Sequence, residues 1–474
     1  MTEKKTEKQK KGNLSFWQKT AFGIGGTADN LMQNGINNMA NQVFNIFLGV
    51  NPILVSTCIF AARLWDAFTD PTMGSISDNT RNRLGRRRPY ILVGGILASL
   101  TFILLWRVPQ GWSQTAYFLW FLIVSLLFYT FYTVYSVPFN ALSYELSPCY
   151  HERTRIMAFR CFFGAIAGIS IQWMFRLTQM RCFNNTLDGM QTVSIGVAAI
   201  ILVTAIVPAV FSKERFVHAA QSKVRLIDSL KVTLRNRTFT MLITAVILIC
   251  LGLFMVGQLG VYINIFYIFG GDKRAAATVL GLGGTVYHLS GGITAAPVIS
   301  WISSHVGKKA TLIGGLILAA VGAGATFFTY NPRWPYLQFA SLLMMSPGLS
   351  CLWILTPSMV ADICDEDELN TGIRREGMYG AVYSNVMKIG VSVGLLFVGV
   401  ILNASGFRAE LGAAQSEHAL LIMRICFSAI PVCGLLLGLL CISRYPITAE
   451  RAAEVRMKLD ARHASDGEPA GESK

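Results

Sequence analysis

Residues Ala62–Tyr90 read ARLWDAFTDPTMGSISDNTRNRLGRRRPY, and the residues leading into them, Asn51–Ala61, are mostly apolar. Asp66 and Asp70 stand four positions apart, so on a helix their carboxylates share one face. A carboxylate at membrane depth costs several kcal/mol, and two on one face must meet a cation, a basic side chain or water. Beyond them the segment runs into Arg81, Arg83, Arg86, Arg87 and Arg88. Such a basic loop belongs on the cytoplasmic side of a bilayer. One stretch therefore carries both a buried anionic site and an orientation signal. A soluble helix with two solvated acids would have the same local pattern, so the rest of the chain has to decide.

It decides for the membrane. The 474 residues are 53% hydrophobic and 14% charged, where soluble domains carry roughly 25% charged residues. The net charge of +15 would suggest nucleic-acid binding in a soluble protein. Here the Lys and Arg sit in the loops, where membrane orientation explains them and no nucleic-acid partner is expected. The first fifteen residues are polar, and no cleavable signal peptide is visible. The ten cysteines fall mostly in apolar segments, with no pair placed for a disulfide and no metal-ligand spacing.

About twelve spans are legible at roughly 20 residues each. The first, within Trp17–Val50, is unusually polar, with Asp29, Asn30, Gln33, Asn34, Asn37, Asn38, Asn41, Gln42 and Asn45. That face should line a wet cavity rather than lipid. Next come Ile53–Asp78, Ile91–Pro109, Ala116–Glu145, Ile156–Leu177 and Gln191–Phe211. The fourth span ends in a hydroxyl-rich half with Tyr132, Thr133, Tyr135, Ser136 and Asn140, and the fifth carries Arg160. Six more follow: Phe239–Phe269, Ala276–Ser303, Ala310–Tyr330, Tyr336–Cys364, Gly377–Ser405 and Ala419–Ser443.

The expected domains are a cytoplasmic tail 1–16, a six-span half 17–211, a linker 212–238, a second half 239–443 and a cytoplasmic tail 444–474. Alternating Val224, Leu226, Ile227 and Leu230 with basic residues predicts an amphipathic surface helix in the linker. Lys and Arg crowd onto the side holding both termini, which predicts both ends in the cytoplasm and an inner or plasma membrane location. The halves echo each other. Seventeen positions separate Pro138 from Arg155 and Pro357 from Arg374, and Gly85-Arg86-Arg87 after span two matches Gly307-Lys308-Lys309 after span eight. Parallel six-span repeats with a midplane site between them are how the major facilitator fold is built.

Motifs narrow this further. Gly74–Tyr90 resembles the signature loop of major facilitator transporters, in which Asp78 can pair with arginines such as Arg86 and make the loop a gate. RLWDAFTDPTMG at Arg63–Gly74 and MVADICDEDELNTGIRREGMYGAVYSNVMK at Met359–Lys388 resemble the glycoside–pentoside–hexuronide:cation symporters, the melibiose permease-like family. The resemblance spans about Trp17–Tyr445. It implies an all-α membrane protein of the major facilitator fold, with twelve spans in two pseudo-symmetric halves.

It also implies that Asp66, Asp70 and Thr133 bind the coupling cation, Na⁺ or H⁺. Carboxylates and a hydroxyl are hard oxygen ligands that suit Na⁺. The family's helix-one acid falls at Asp29 or Asn30, its helix-five arginine at Arg160 and its helix-eleven lysine at Lys388. Arg63 and Tyr383 join the expected solute site, and Asp362 with Arg374 the gate. Where the family has a helix-four aspartate and tryptophan, this chain has Ser136 and Asn140, which argues against melibiose. With that acid gone, the bases Arg63, Arg160 and Lys388 favour an anionic solute such as a hexuronide.

Each residue has a plainer alternative. Asp66 and Asp70 can be ion-paired to Arg63 and Lys388, Lys388 and Arg160 can be structural counter-ions, and Thr133 can bond its own helix carbonyl. Trp65 reads as packing, and His288 as a satisfied hydrogen-bonder. The expectation is a cation-coupled symporter of a sugar, glycoside or uronide, acting as a monomer without a cofactor. A lysolipid transporter and a non-transporting sensor are the rivals. An enzyme is not expected, since no nucleophile–base grouping is present.

Overall fold

The computed structural model describes residues 14–80, 85–146, 150–212, 233–372 and 375–465. The described residues form helices joined by turns and short loops, without strands. Helix α1 (Phe16–Ala40) begins at Ser15, whose hydroxyl accepts the Gln18 N–H while the Gln18 side chain accepts the Ser15 N–H, both at 3.2 Å. That reciprocal box satisfies two of the donors a helix start leaves open. A π-helical turn, Asn41–Asn45, extends it. Asn51 caps α2 (Pro52–Asn79), with Pro52 in the first turn, where its missing N–H costs nothing. Then come α3 (Arg88–Leu105), α4 (Gln114–Glu145), α5 (Tyr150–Thr178) and α6 (Thr186–Phe211).

The later helices are α7 (Arg237–Phe254), α8 (Leu259–Tyr262), α9 (Lys273–Tyr287), α10 (Ala295–Val306), α11 (Lys308–Thr329), α12 (Gln338–Thr371), α13 (Glu376–Ala404), α14 (Glu417–Ser443) and α15 (Ala449–Ser465). Among the described residues, ten helices are long and apolar enough to cross a membrane. Two expected spans fall outside that count for visible reasons. The first is α1, whose amide-rich face lowers its hydropathy. The eighth is divided into α9, a π-helical His288–Thr294 and α10. The break after Phe254 in the seventh span, with a π-helical Ile263–Ile268 beyond α8, was not legible. Apolar side chains such as Leu100, Ile123 and Val203 are more than half exposed on the protein alone, as lipid-facing residues must be.

Two compact units emerge: Met1–Gln221 with Gln258–His288 and Leu395–Met423, and Ser222–Gly257 with Leu289–Gly394 and Arg424–Lys474. In the first, small residues set the helix spacing. A Cβ on Gly26 would lie 2.6 Å from the Arg160 carbonyl oxygen, and one on Gly94 would lie 2.5 Å from the Tyr135 nitrogen. Glycine at these positions lets α1 meet α5 and α3 meet α4 almost backbone to backbone. The Tyr262 hydroxyl donates to Asn45 Oδ1 at 2.7 Å, and Trp173 Nε1 to Thr285 Oγ1 at 2.9 Å.

In the second unit, α15 lies in what the sequence suggests as a plain tail. Val455 and Leu459, one turn apart, are buried, and Arg451 Nε reaches Glu366 at 3.3 Å. The proposed linker helix falls largely on residues 213–232, and the gate residue Arg374 on 373–374; both lie outside the described residues.

Candidate functional site

In the first unit, three of the predicted acids each meet a partner from a neighbouring helix or turn. Asp70 on α2 accepts the Thr133 hydroxyl of α4 at 3.0 Å, and Thr69 Oγ1 lies 3.1 Å from that same hydroxyl. Thr133 is buried and spends its proton on a carboxylate rather than on its own helix. Asp66, one turn earlier, is only 4% exposed. Arg63 Nη1 approaches it at 3.9 Å. The Arg63 guanidinium also donates to the Gln33 carbonyl and lies 5.0 Å from the Tyr129 ring centroid. Pro71 has no N–H to give the carbonyl of residue 67, so α2 carries one backbone oxygen without its intrahelical donor in this turn.

Asp29 on α1 forms the other cluster. Arg160 Nη2 of α5 donates to Asp29 Oδ2 at 2.7 Å, and the Tyr132 hydroxyl of α4 donates to Asp29 Oδ1 at 3.3 Å. The pair is partly open, with side-chain exposures of 22% for Arg160 and 13% for Asp29. Arg160 also sits 5.3 Å from the Phe139 ring. The Asn30 side-chain carbonyl instead accepts from Asn34 Nδ2 at 3.4 Å. Of the two helix-one candidates, Asp29 is the one facing the arginine.

Tyr132 and Thr133 are adjacent, and one touches Asp29 while the other touches Asp70. On α4, residues 129, 132, 133, 136 and 140 follow helical face spacing. That spacing is the signal that could have added Tyr129 and Tyr132 to the sequence-derived set. Ser136 is buried, and its backbone carbonyl accepts from Asn140 Nδ2 at 2.8 Å. Trp65 donates its indole N–H to Thr130 Oγ1 at 2.9 Å, a contact between α2 and α4.

Lys388 and Tyr383 belong to the second unit. The Tyr383 hydroxyl lies 2.6 Å from Thr356 Oγ1, and the Lys388 carbonyl accepts the Ser392 hydroxyl at 2.7 Å. The gate residues divide between units as well. Arg87 Nη2 donates to Asp78 Oδ1 at 3.0 Å, while Arg86 meets the Asp78 backbone carbonyl at 3.3 Å. In the second unit Lys308 Nζ sits 2.7 Å from both Asp362 oxygens. These pairs mirror the two Gly-basic loops of the sequence echo.

Partly buried acids and bases within membrane-spanning helices mark ion and substrate pathways. Comparison with known proteins agrees. Residues 21–449 match the MFS/sugar transport protein family, and the chain belongs to it. It is 27% identical to the sodium-dependent lysophosphatidylcholine symporter 1-A of Danio rerio, over 94% of this chain and 88% of that one. It is 24% identical to a glucuronide carrier protein homolog of Escherichia coli, over 90% and 93%. A D-xylose–proton symporter structure superposes with TM-score 0.64 at 13% identity, covering 91% of this chain and 97% of that one, a likeness of fold. The protein is thus a glycoside–pentoside–hexuronide-type major facilitator transporter.

Proposed function

We propose that this protein moves a sugar, glycoside or hexuronide together with Na⁺ or H⁺ by alternating access, with Asp66, Asp70 and Thr133 holding the ion. The observation that carries the reading is the adjacency on α4: Thr133 bonds Asp70 and Tyr132 bonds Asp29. An ion that draws on the Asp70 carboxylate and the Thr133 hydroxyl pulls on the same helical turn that fixes the Asp29–Arg160 pair. Binding of ion and solute then become mutually favourable, and that reciprocal gain is the basis of coupling.

Charge supports an anionic solute. Within the spans of the first unit, Asp29, Asp66 and Asp70 face Arg63 and Arg160. One bound monovalent cation balances these five groups. Arg160 offers a planar fork suited to a carboxylate. The similarity to a glucuronide carrier homolog points the same way. A second reading, transport of a lysolipid, is favoured by the similarity to a lysophosphatidylcholine symporter.

Asp78–Arg87 and Lys308–Asp362 act as cytoplasmic latches in this scheme, with the membrane halves at 17–211 and 239–443, both termini inside and the monomer as working unit. The test is uptake by purified protein in vesicles against neutral glycosides, uronides and lysolipids, with Na⁺ and pH gradients imposed separately. Gradient-driven uronide uptake is expected. Uptake of neutral glycosides alone contradicts the anionic preference, and lysolipid uptake alone establishes the second reading.

A further inference from the structure

A polar cavity of about 250 Å³ lies in the first unit at the end where α1 finishes, and the transport scheme makes no use of it. The connection from α5 to α6 supplies Gln179, Asn184, Asn185 and Thr186, and the first turn of α9 supplies Lys273 and Arg274. No acid is among its lining residues. The neighbouring acids are already occupied by backbone. Asp272 Oδ1 accepts the N–H groups of Arg274 and Ala275 at 2.9 and 3.1 Å, and Asp188 Oδ2 accepts the Asn184 N–H at 3.1 Å.

Lys273 and Arg274 form no ion pair with a described residue. The Lys273 ammonium is half-buried against the Phe47 ring, 5.9 Å from its centroid. Burial pushes its pKa below the ordinary lysine value, as it must for a cation that has lost water without gaining a carboxylate. One hydroxyl proton in the cavity lining is left over. Gln179 Nε2 is held by Thr178 and Thr186 at 3.1 Å each, and because Thr186 Oγ1 accepts there, its own proton is left to donate.

We propose that this cavity binds an anion, a phosphate or carboxylate group, between Lys273, Arg274 and the amide and hydroxyl groups of the α5–α6 connection. A half-buried ammonium and a guanidinium side by side gain charge-assisted bonds from such a group, and the group can belong to a soluble molecule or to a lipid headgroup. The site stands apart from the transport reading, because its chemistry does not depend on what Asp66 and Asp70 hold.

The experiment reads acylation of Lys273 by an amine-reactive ester, by mass spectrometry, on the full-length protein with Lys458 as internal control. In neutral detergent, sodium phosphate and sodium glucuronate are compared with sodium chloride at equal ionic strength. In parallel, nanodiscs of phosphatidylcholine are compared with nanodiscs also containing phosphatidylglycerol. Phosphate or glucuronate at about ten times its Kd slows Lys273 acylation about tenfold, leaves Lys458 unchanged, and loses its effect in Arg274→Gln. Protection by phosphatidylglycerol alone identifies the anion as a lipid headgroup. Lys273 acylation at one rate under every condition overturns the proposal.

Discussion

Thr133 donates to a carboxylate where a threonine in a helix would ordinarily bond its own chain, and that choice has a measurable consequence. A hydrogen bond to a charged group is worth about 1.5–3 kcal/mol. Thr133→Ala should raise the ion concentration for half-maximal uptake by roughly tenfold, since about 1.4 kcal/mol is a factor of ten. Thr133→Ser should restore most of it, and an unchanged ion requirement in Thr133→Ala would place the hydroxyl outside the ion site. Asp66, Asp70 and Arg160 were legible from the sequence because a charge inside an apolar run is conspicuous. Tyr129 and Tyr132 were not, since an aromatic in a span is ordinary until its ring is seen beneath Arg63, as for Tyr129, or its hydroxyl on Asp29, as for Tyr132. The choice between Asp29 and Asn30 needed the third dimension too: Asp29 meets Arg160 and Tyr132 of other helices, while the Asn30 side chain accepts from Asn34 of its own.

At the scale of helices, the closeness of α1 and α5 decides whether Arg160 can reach Asp29. Gly26→Ala would press a methyl group against the Arg160 backbone. Overpacking of this kind costs about 1–3 kcal/mol, so the variant should melt at lower temperature in detergent and lose uptake. Normal melting and uptake would show that the two helices yield freely.

Where α1 begins, the Leu14 N–H and Lys19 Nζ reach Glu152 Oε1 at 3.0 and 2.9 Å. Burial raises the Glu152 pKa, but the Lys19 hydrogen bond, the Leu14 N–H and the charges of Lys19 and Arg155 outweigh it, and the net shift is downward. A carboxyl held below its unfolded value stabilises the fold above that value, about 4.3 for glutamate, and ceases to as pH falls through the lower, folded pKa. Wild type should therefore melt above Glu152→Gln at neutral pH, with the gap closing on acidification. A gap that stays constant with pH would argue that the contact is not electrostatic.

Element boundaries were only partly readable. Caps such as Ser15 and Asn51 and the prolines announce themselves, whereas the π-helical turns at Asn41–Asn45, Ile263–Ile268 and His288–Thr294 have no comparable sequence mark. α15 escaped notice because its burial rests on just two apolar positions, Val455 and Leu459.

Across the whole molecule, apolar runs and the placement of basic residues made the spans legible, the motifs at Arg63–Gly74 and Met359–Lys388 carried the family resemblance, and the match over residues 21–449 agrees. Solute choice is less accessible, because swapping an acid for a serine, as at Ser136, changes which solute fits without leaving any mark on the pattern of spans. The account comes down to the two acids of α2. The most direct measurement is accumulation, in vesicles of purified protein under an imposed ion gradient, of whichever solute the wild-type carrier concentrates. Asp66→Asn and Asp70→Asn should each fail to concentrate it. If either variant still drives it uphill in proportion to the gradient, the ion is held elsewhere.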